Sequence, residues 1–177
     1  MILLFDIWGK KKYLTIKKEK YIKLNIEYLE NYDKTWGELG YKHAGDAGFD
    51  LRAAVAERII LKPRDYMPVP TGVKFQLETG EIPAGLNYEI QIRARSGLAA
   101  KHGITVMNGV GTVDLGYRGE VRAILVNHGH EDFLIEPGDR IAQAVIAPVM
   151  CVEFAAVDSV DDNTTRGVGG FGSTGKQ

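Results

Sequence analysis

The chain has 177 residues, 22 basic against 23 acidic, a net charge of −1 and one cysteine. That length supports one domain, with or without arms, and is enough to bury an independent core. The balanced charge gives no overall nucleic-acid footprint, the lone Cys151 allows neither an intrachain disulfide nor a cysteine metal cluster, and no apolar stretch reaches membrane-spanning length.

Residues 1–20 read as an N-terminal extension. Met1 to Lys23 carries seven Lys against Asp6 and Glu19, while residues 24–177 are net acidic. The extension is either a frayed end or an arm that contacts a partner. Met1 to Trp8 is too short and lacks the basic start of a signal peptide, so cytoplasm is the expected compartment.

Strand patterns follow, and residues 21–160 are expected to form one β domain. Leu24, Ile26 and Tyr28 alternate with Lys23, Asn25 and Glu27. Tyr88, Ile90, Ile92 and Ala94 alternate with Glu89, Gln91, Arg93 and Arg95. Val121 to Val126, Phe133 to Ile135 and Ile141 to Val149 are further β-rich runs. Turn signals separate them at Lys62 to Asp65, Thr79-Gly80, Asn108-Gly109, Asn127 to Gly129 and Glu136 to Asp139. Many short strands at this spacing predict an all-β sandwich or jelly roll. Only Leu98 to His102, closed by Gly103, reads as helical.

Several segments carry polar residues with possible chemistry. Arg95-Ser96-Gly97 opens the lone helix, where free amides and the dipole favour an anion; a plain N-cap by Ser96 is the other reading. Asn108 to Tyr117 reads as a glycine-rich hairpin. Asp114 within it is either a partly buried base that deprotonates a water or an Asx-turn residue. Gln143 is a polar residue in an apolar strand, and Asp50 is ambiguous alone. Cys151, among apolar residues, reads as a buried filler. His43, His102, His128 and His130 show no metal-ligand spacing, and the last two read as solvated.

Residues 161–177 form a glycine-rich arm. From Arg166 it holds two cations, two hydroxyls and one aromatic ring among five glycines. Such glycine content suits a segment that orders on a ligand. Arg166, Ser173 and Thr174 offer donors to phosphate and Phe171 a stacking face, so a nucleotide with a phosphate tail fits. Gly167 to Gly172 matches G-x-G-x-x-G and Gly170 to Lys176 the start of a P-loop, but neither has room for the helix its mechanism needs.

Taken in order, Ala47-Gly48-Phe49-Asp50-Leu51, Arg95-Ser96-Gly97-Leu98-Ala99, Asn108 through Asp114 with Tyr117 and Gly119, Pro137 to Gln143, and Arg166 to Gly175 resemble the five motifs of the homotrimeric dUTPase family. The resemblance runs from about residue 21 to the end. It departs at Ala94, where the family often has Pro. It implies a distorted jelly roll with one short helix and a flexible C-terminal arm. It implies hydrolysis of dUTP to dUMP and pyrophosphate, which limits uracil in DNA. By position, Asp114 would be the general base. Tyr117 would stack on the deoxyribose, Asn108 and main-chain groups at Gly111 would read uracil, and Arg95, Ser96, Gly97 and Gln143 would hold phosphates. Arg166, Ser173 and Thr174 would close on the γ-phosphate, with Gly172 beside them and Phe171 over the base. Asp50 would orient the water shell of Mg²⁺, with no direct protein ligand. Partners would be dUTP and two further copies sharing the sites, with no nucleic acid and no membrane. The rivals are a dCTP deaminase, whose catalytic Glu would fall on Ile124, and a binding-only module of the same fold.

Overall fold

The computed structural model describes residues 2–5, 11–14, 22–80 and 82–170, the first two segments by backbone alone. In chain order the strands are β1 (Ile2–Phe5), β2 (Lys11–Leu14), β3 (Lys23–Tyr28), β4 (Gly48–Arg52), β5 (Ile59–Leu61), β6 (Tyr66–Pro70), β7 (Val73–Glu78) and β8 (Leu86–Arg93). Helix α1 (Ser96–His102) follows, then β9 (Ile104–Val106), β10 (Gly111–Asp114), β11 (Arg122–Asn127), β12 (Phe133–Ile135) and β13 (Arg140–Met150). The alternating segments therefore became strands, and the one helical segment became the one α-helix among the described residues. Helix α1 ends because Gly103 takes the left-handed conformation and returns its N–H to Ala99 and Leu98.

The strands form small sheets rather than two large ones, as a distorted jelly roll requires. One sheet has the order β10-β8-β13-β4, a second β6-β11-β9, and β5 with β12 and β3 with β7 make two-stranded pairs. All these pairs are antiparallel. Within the N-terminal extension, β1 pairs with β2 from Ile2↔Leu14 to Phe5↔Lys11. The sheets close on a core in which Leu51, Leu61, Ile104, Leu125, Ile135 and Ile141 are fully buried. Each such side chain contributes about 1.5–3 kcal/mol by leaving water. Burial pushes the Tyr32 phenol above its ordinary pKa, and its hydroxyl donates to the Gly37 carbonyl at 2.6 Å. No helix among the described residues is long and apolar enough to cross a membrane.

Two expectations need correction here. Cys151 is exposed. Its apolar neighbours do not mark a core, because β13 ends at Met150 and the following residues leave the sheet. Asn108 to Tyr117 is not a hairpin closed on itself. β10 pairs with β8, whereas β9 pairs with β11 in another sheet, so the Asn108-Gly109 turn carries the chain between sheets.

Asn127 is the polar residue the core cannot lose cheaply. It is 0% exposed, its amide donates to the carbonyls of Leu61 (2.8 Å) and Glu131 (2.9 Å), and its oxygen accepts from Gly129 N–H (2.8 Å). Asn127→Ala leaves these groups without their partner and is expected to lower stability by about 2–3 kcal/mol. A chemical denaturation midpoint unmoved by the substitution would contradict this.

Candidate active site

The residues singled out by chemistry fall into two clusters. The first surrounds a cavity of about 590 Å³ whose lining includes Asn108, Gly111, Asp114, Tyr117 and Glu120. β10 is an edge strand, and its last residue, Asp114, lies opposite Glu89 of β8. Asp114 is exposed rather than partly buried, because an edge position is covered from one side only. Among the described residues no donor reaches its carboxylate, and its carbonyl accepts the Tyr117 N–H at 3.0 Å in a tight turn. That turn sets the Tyr117 ring, 47% exposed, at the same cavity. Ile124 also lines it. The position where a deaminase would carry its Glu is thus in the cavity and is an alkyl group, which moves no proton.

The second cluster lines a cavity of about 390 Å³ and is held by charge. Arg95 Nε donates to one oxygen of Asp50 at 2.8 Å, and Arg140 Nη1 donates to the other at 3.1 Å. Arg95 Nη1 also donates to the Arg140 carbonyl at 2.9 Å. Gln143 Nε2 donates to the Ala94 carbonyl at 2.9 Å, tying β13 to the segment that enters α1. The carboxylate bridges the two guanidiniums, offsets one of their two positive charges and fixes their direction, while their other N–H groups remain for an anion.

Arg95, not Ser96, is the N-cap of α1; its backbone is extended at φ −85° and ψ 128°, and it makes no side-chain cap bond. Ser96 and Gly97 are therefore exposed first-turn residues whose amides are unpaired in the helix. Ala94 in place of Pro does not abolish this turn. Behind the cluster, Gly138 has φ +84°, and a Cβ there would come 2.7 Å from Trp36 Nε1, so glycine is required for the backbone to pass. Arg52 Nη1 holds the Gly138 carbonyl at 2.8 Å. Sequence reasoning assigns Arg140 no role; its basic charge three residues before Gln143 is the signal that points to it.

The two clusters do not meet within one chain. Asp50 pairs with Gln143, which pairs with Arg93, whereas Asp114 pairs with Glu89 four residues back along β8. Three strand spacings across and four residues along put them about 20 Å apart on the same face of one sheet. Arg166 lies in neither cluster; its Nε donates to the Gly169 carbonyl at 3.0 Å within an exposed turn. Phe171, Gly172, Ser173 and Thr174 lie outside the described residues.

The dUTPase family model matches residues 35–175. The chain belongs to the dUTPase family. It is 55% identical over 135 residues to the deoxyuridine 5'-triphosphate nucleotidohydrolase of Treponema denticola, covering 76% of this chain and 88% of that protein. The protein of that name from Maricaulis maris is 50% identical over 156 residues, with 87% and 97% covered. Among solved structures, Staphylococcus bacteriophage 80alpha dUTPase with dUPNHPP superposes with a TM-score of 0.68 at 26% identity, over 86% of this chain and 98% of that one. A mutant dUTPase of phage phi11, with a coordinated structural Mg(II) ion, superposes with a TM-score of 0.62 at 24% identity, over 77% and 97%. In this family member the two clusters are thus the residues to weigh against nucleotide chemistry.

Proposed function

We infer that this dUTPase-family chain hydrolyses dUTP to dUMP and pyrophosphate, with Asp114 as the base that aligns and deprotonates the attacking water. The observation that carries the reading is the pairing, in one cavity, of a carboxylate with no partner among the described residues and an aromatic ring beside it. Water oxygen bonds to the α-phosphorus, its proton passes to Asp114, and the bond from the α-phosphorus to its bridging oxygen breaks to release pyrophosphate. Tyr117 stacks on the deoxyribose and occupies the space of a 2′-hydroxyl, and Asn108 with the backbone at Gly111 reads the base. Arg95, Ser96, Gly97 and Gln143 bind the phosphates. The intact Asp114 argues against a binding-only module, and Ile124 against deamination.

The charged cluster fits a divalent metal held mainly by substrate. No group of three or more His, Cys, Asp or Glu side chains among the described residues forms a metal cage. Asp50 is a single carboxylate already gripped by two guanidiniums, with lone pairs left for water, which suits the outer shell of Mg²⁺ rather than a direct bond. When bound, Mg²⁺ neutralises charge on the triphosphate. Asp50, Arg95 and Arg140 orient that tail from the protein side.

Two features support a homotrimer with shared sites. Asp114 and the Asp50–Arg95 cluster are about 20 Å apart in one chain by strand geometry. The α- and γ-phosphorus of one triphosphate are only two P–O–P links apart, so base and phosphate grip for one substrate come from different chains. Second, Val152, Phe154, Val157 and Val160 are 65%, 92%, 66% and 80% exposed after the last strand. A run this apolar suits a segment that packs on another subunit. Residues 161–177 then serve as the arm from a third chain, with Arg166, Ser173 and Thr174 at the γ-phosphate and Phe171 over the base. Cytoplasm is the compartment we assign.

Pyrophosphate release from dUTP, compared with dCTP, dTTP and UTP, tests the reaction: comparable rates on all four would refute it. Tyr117→Ala is expected to narrow the preference for dUTP over UTP, since a ring that occludes a hydroxyl discriminates by up to about 10². An unchanged ratio of kcat/KM values would assign sugar choice to another residue.

A further inference from the structure

We propose that Glu120 is a positioning residue for sugar selection: it holds the Tyr117 ring where it excludes a 2′-hydroxyl. The proposal rests on the reading of Tyr117 given above. Tyr117 projects from an exposed turn, and its hydroxyl donates to the Glu120 carbonyl at 3.1 Å. That bond restrains the ring only if the carbonyl is itself immobile, and the Glu120 side chain makes it so. Glu120 is 14% exposed at the side chain. One carboxylate oxygen accepts from Asn31 Nδ2 at 2.9 Å and from the Gly72 N–H at 3.0 Å. The other accepts from Arg122 Nε at 3.1 Å.

The anchor therefore reaches two segments remote from the cavity, the loop after β3 and the turn between β6 and β7. The next residue is fixed as well: the Val121 N–H donates to the Val73 carbonyl at 2.9 Å, and the Val121 carbonyl accepts from Thr71 N–H. Gly119 makes room for the arrangement. A Cβ at Gly119 would overlap the Tyr117 hydroxyl and lie 2.6 Å from its Cζ, so the ring lies directly against the backbone that Glu120 secures. The same bonds explain why Glu120, though it lines the cavity with Asp114, is not the base: both of its oxygens are engaged, whereas a base needs a lone pair facing water.

The test is the ratio of kcat/KM for dUTP to that for UTP, which does not depend on the fraction of enzyme that is folded. Tyr117→Ala serves as the reference loss. Glu120→Ala is expected to lower the ratio by about tenfold, part of what the ring supplies. Glu120→Gln keeps an oxygen for Asn31 and Gly72 and is expected to retain most of the ratio. If Glu120→Ala does not yield folded protein, Asn31→Ala removes one donor from outside the cavity and is expected to lower the ratio in the same direction. A wild-type ratio in Glu120→Ala or Asn31→Ala, beside a lowered ratio in Tyr117→Ala, overturns the proposal. A loss in Glu120→Gln equal to that in Glu120→Ala places the role in charge rather than anchoring and overturns it too. A wild-type ratio in Tyr117→Ala removes the sugar reading itself, and the positioning role with it.

Discussion

Asp114→Asn is expected to lower kcat on dUTP by about 10²–10⁴ while fold and nucleotide binding persist, the usual worth of a positioned base. The change is nearly isosteric, and the side chain carries no structural duty among the described residues: it ends an edge strand, is exposed, and receives no donor. Stability and dUTP affinity should therefore move little. Single-turnover pyrophosphate release, read beside binding of a non-hydrolysable analogue, separates chemistry from binding. Near-normal turnover would place the base elsewhere. Glu120 is the other carboxylate that lines the cavity, and its bonds to Asn31, Gly72 and Arg122 make it a poor substitute.

Truncation after Asp161 is expected to leave a folded protein with little activity, and to regain activity when refolded with Asp114→Ala. The core strands end at Met150, and the described residues beyond 161 are exposed except Gly169 and Gly170, so little packing is lost. What is lost, on the function proposed above, is the arm that would offer Arg166, Phe171, Ser173 and Thr174 to the nucleotide. If each site takes its base from one chain and its arm from another, a site in a mixed trimer works when the base comes from the truncated chain and the arm from the Asp114→Ala chain. Random assortment in a closed cyclic trimer gives about one quarter of wild-type sites. Base and arm from a single chain would leave every site defective. A mixed refold that stays inactive, with each parent shown to refold as a trimer, would sink the shared site. A truncated protein that unfolds would make the tail structural instead.

Much of the strand content was legible in the sequence because side-chain direction alternates with every residue, so a half-buried strand writes its own period. β3, β8 and β13 appeared where Leu24 to Tyr28, Tyr88 to Arg95 and Ile141 to Val149 alternate or run apolar. The end of α1 was legible because Gly103 answers a local backbone need. Chemistry was legible as residue type: Arg95 beside a helix start and Asp114 in a glycine-rich segment are unusual enough in company to be noticed.

Partner choice was not legible, because strand period says which face a residue takes and nothing about which strand lies beside it. Tertiary structure alone joined Asp50 to Arg140, ninety residues away, and Glu120 to Asn31, eighty-nine away. It paired β10 with β8 in place of a hairpin within Asn108 to Tyr117, which left Asp114 on an exposed edge. It also ended β13 at Met150, so that Cys151 met solvent despite apolar neighbours. The sequence by itself determined β3, β8, β11, β12, β13, helix α1 and the reactive groups, since these follow from local backbone and side-chain chemistry. Only the register of long-range pairing decided which groups share a cavity, because that register is selected by burial summed over the whole core.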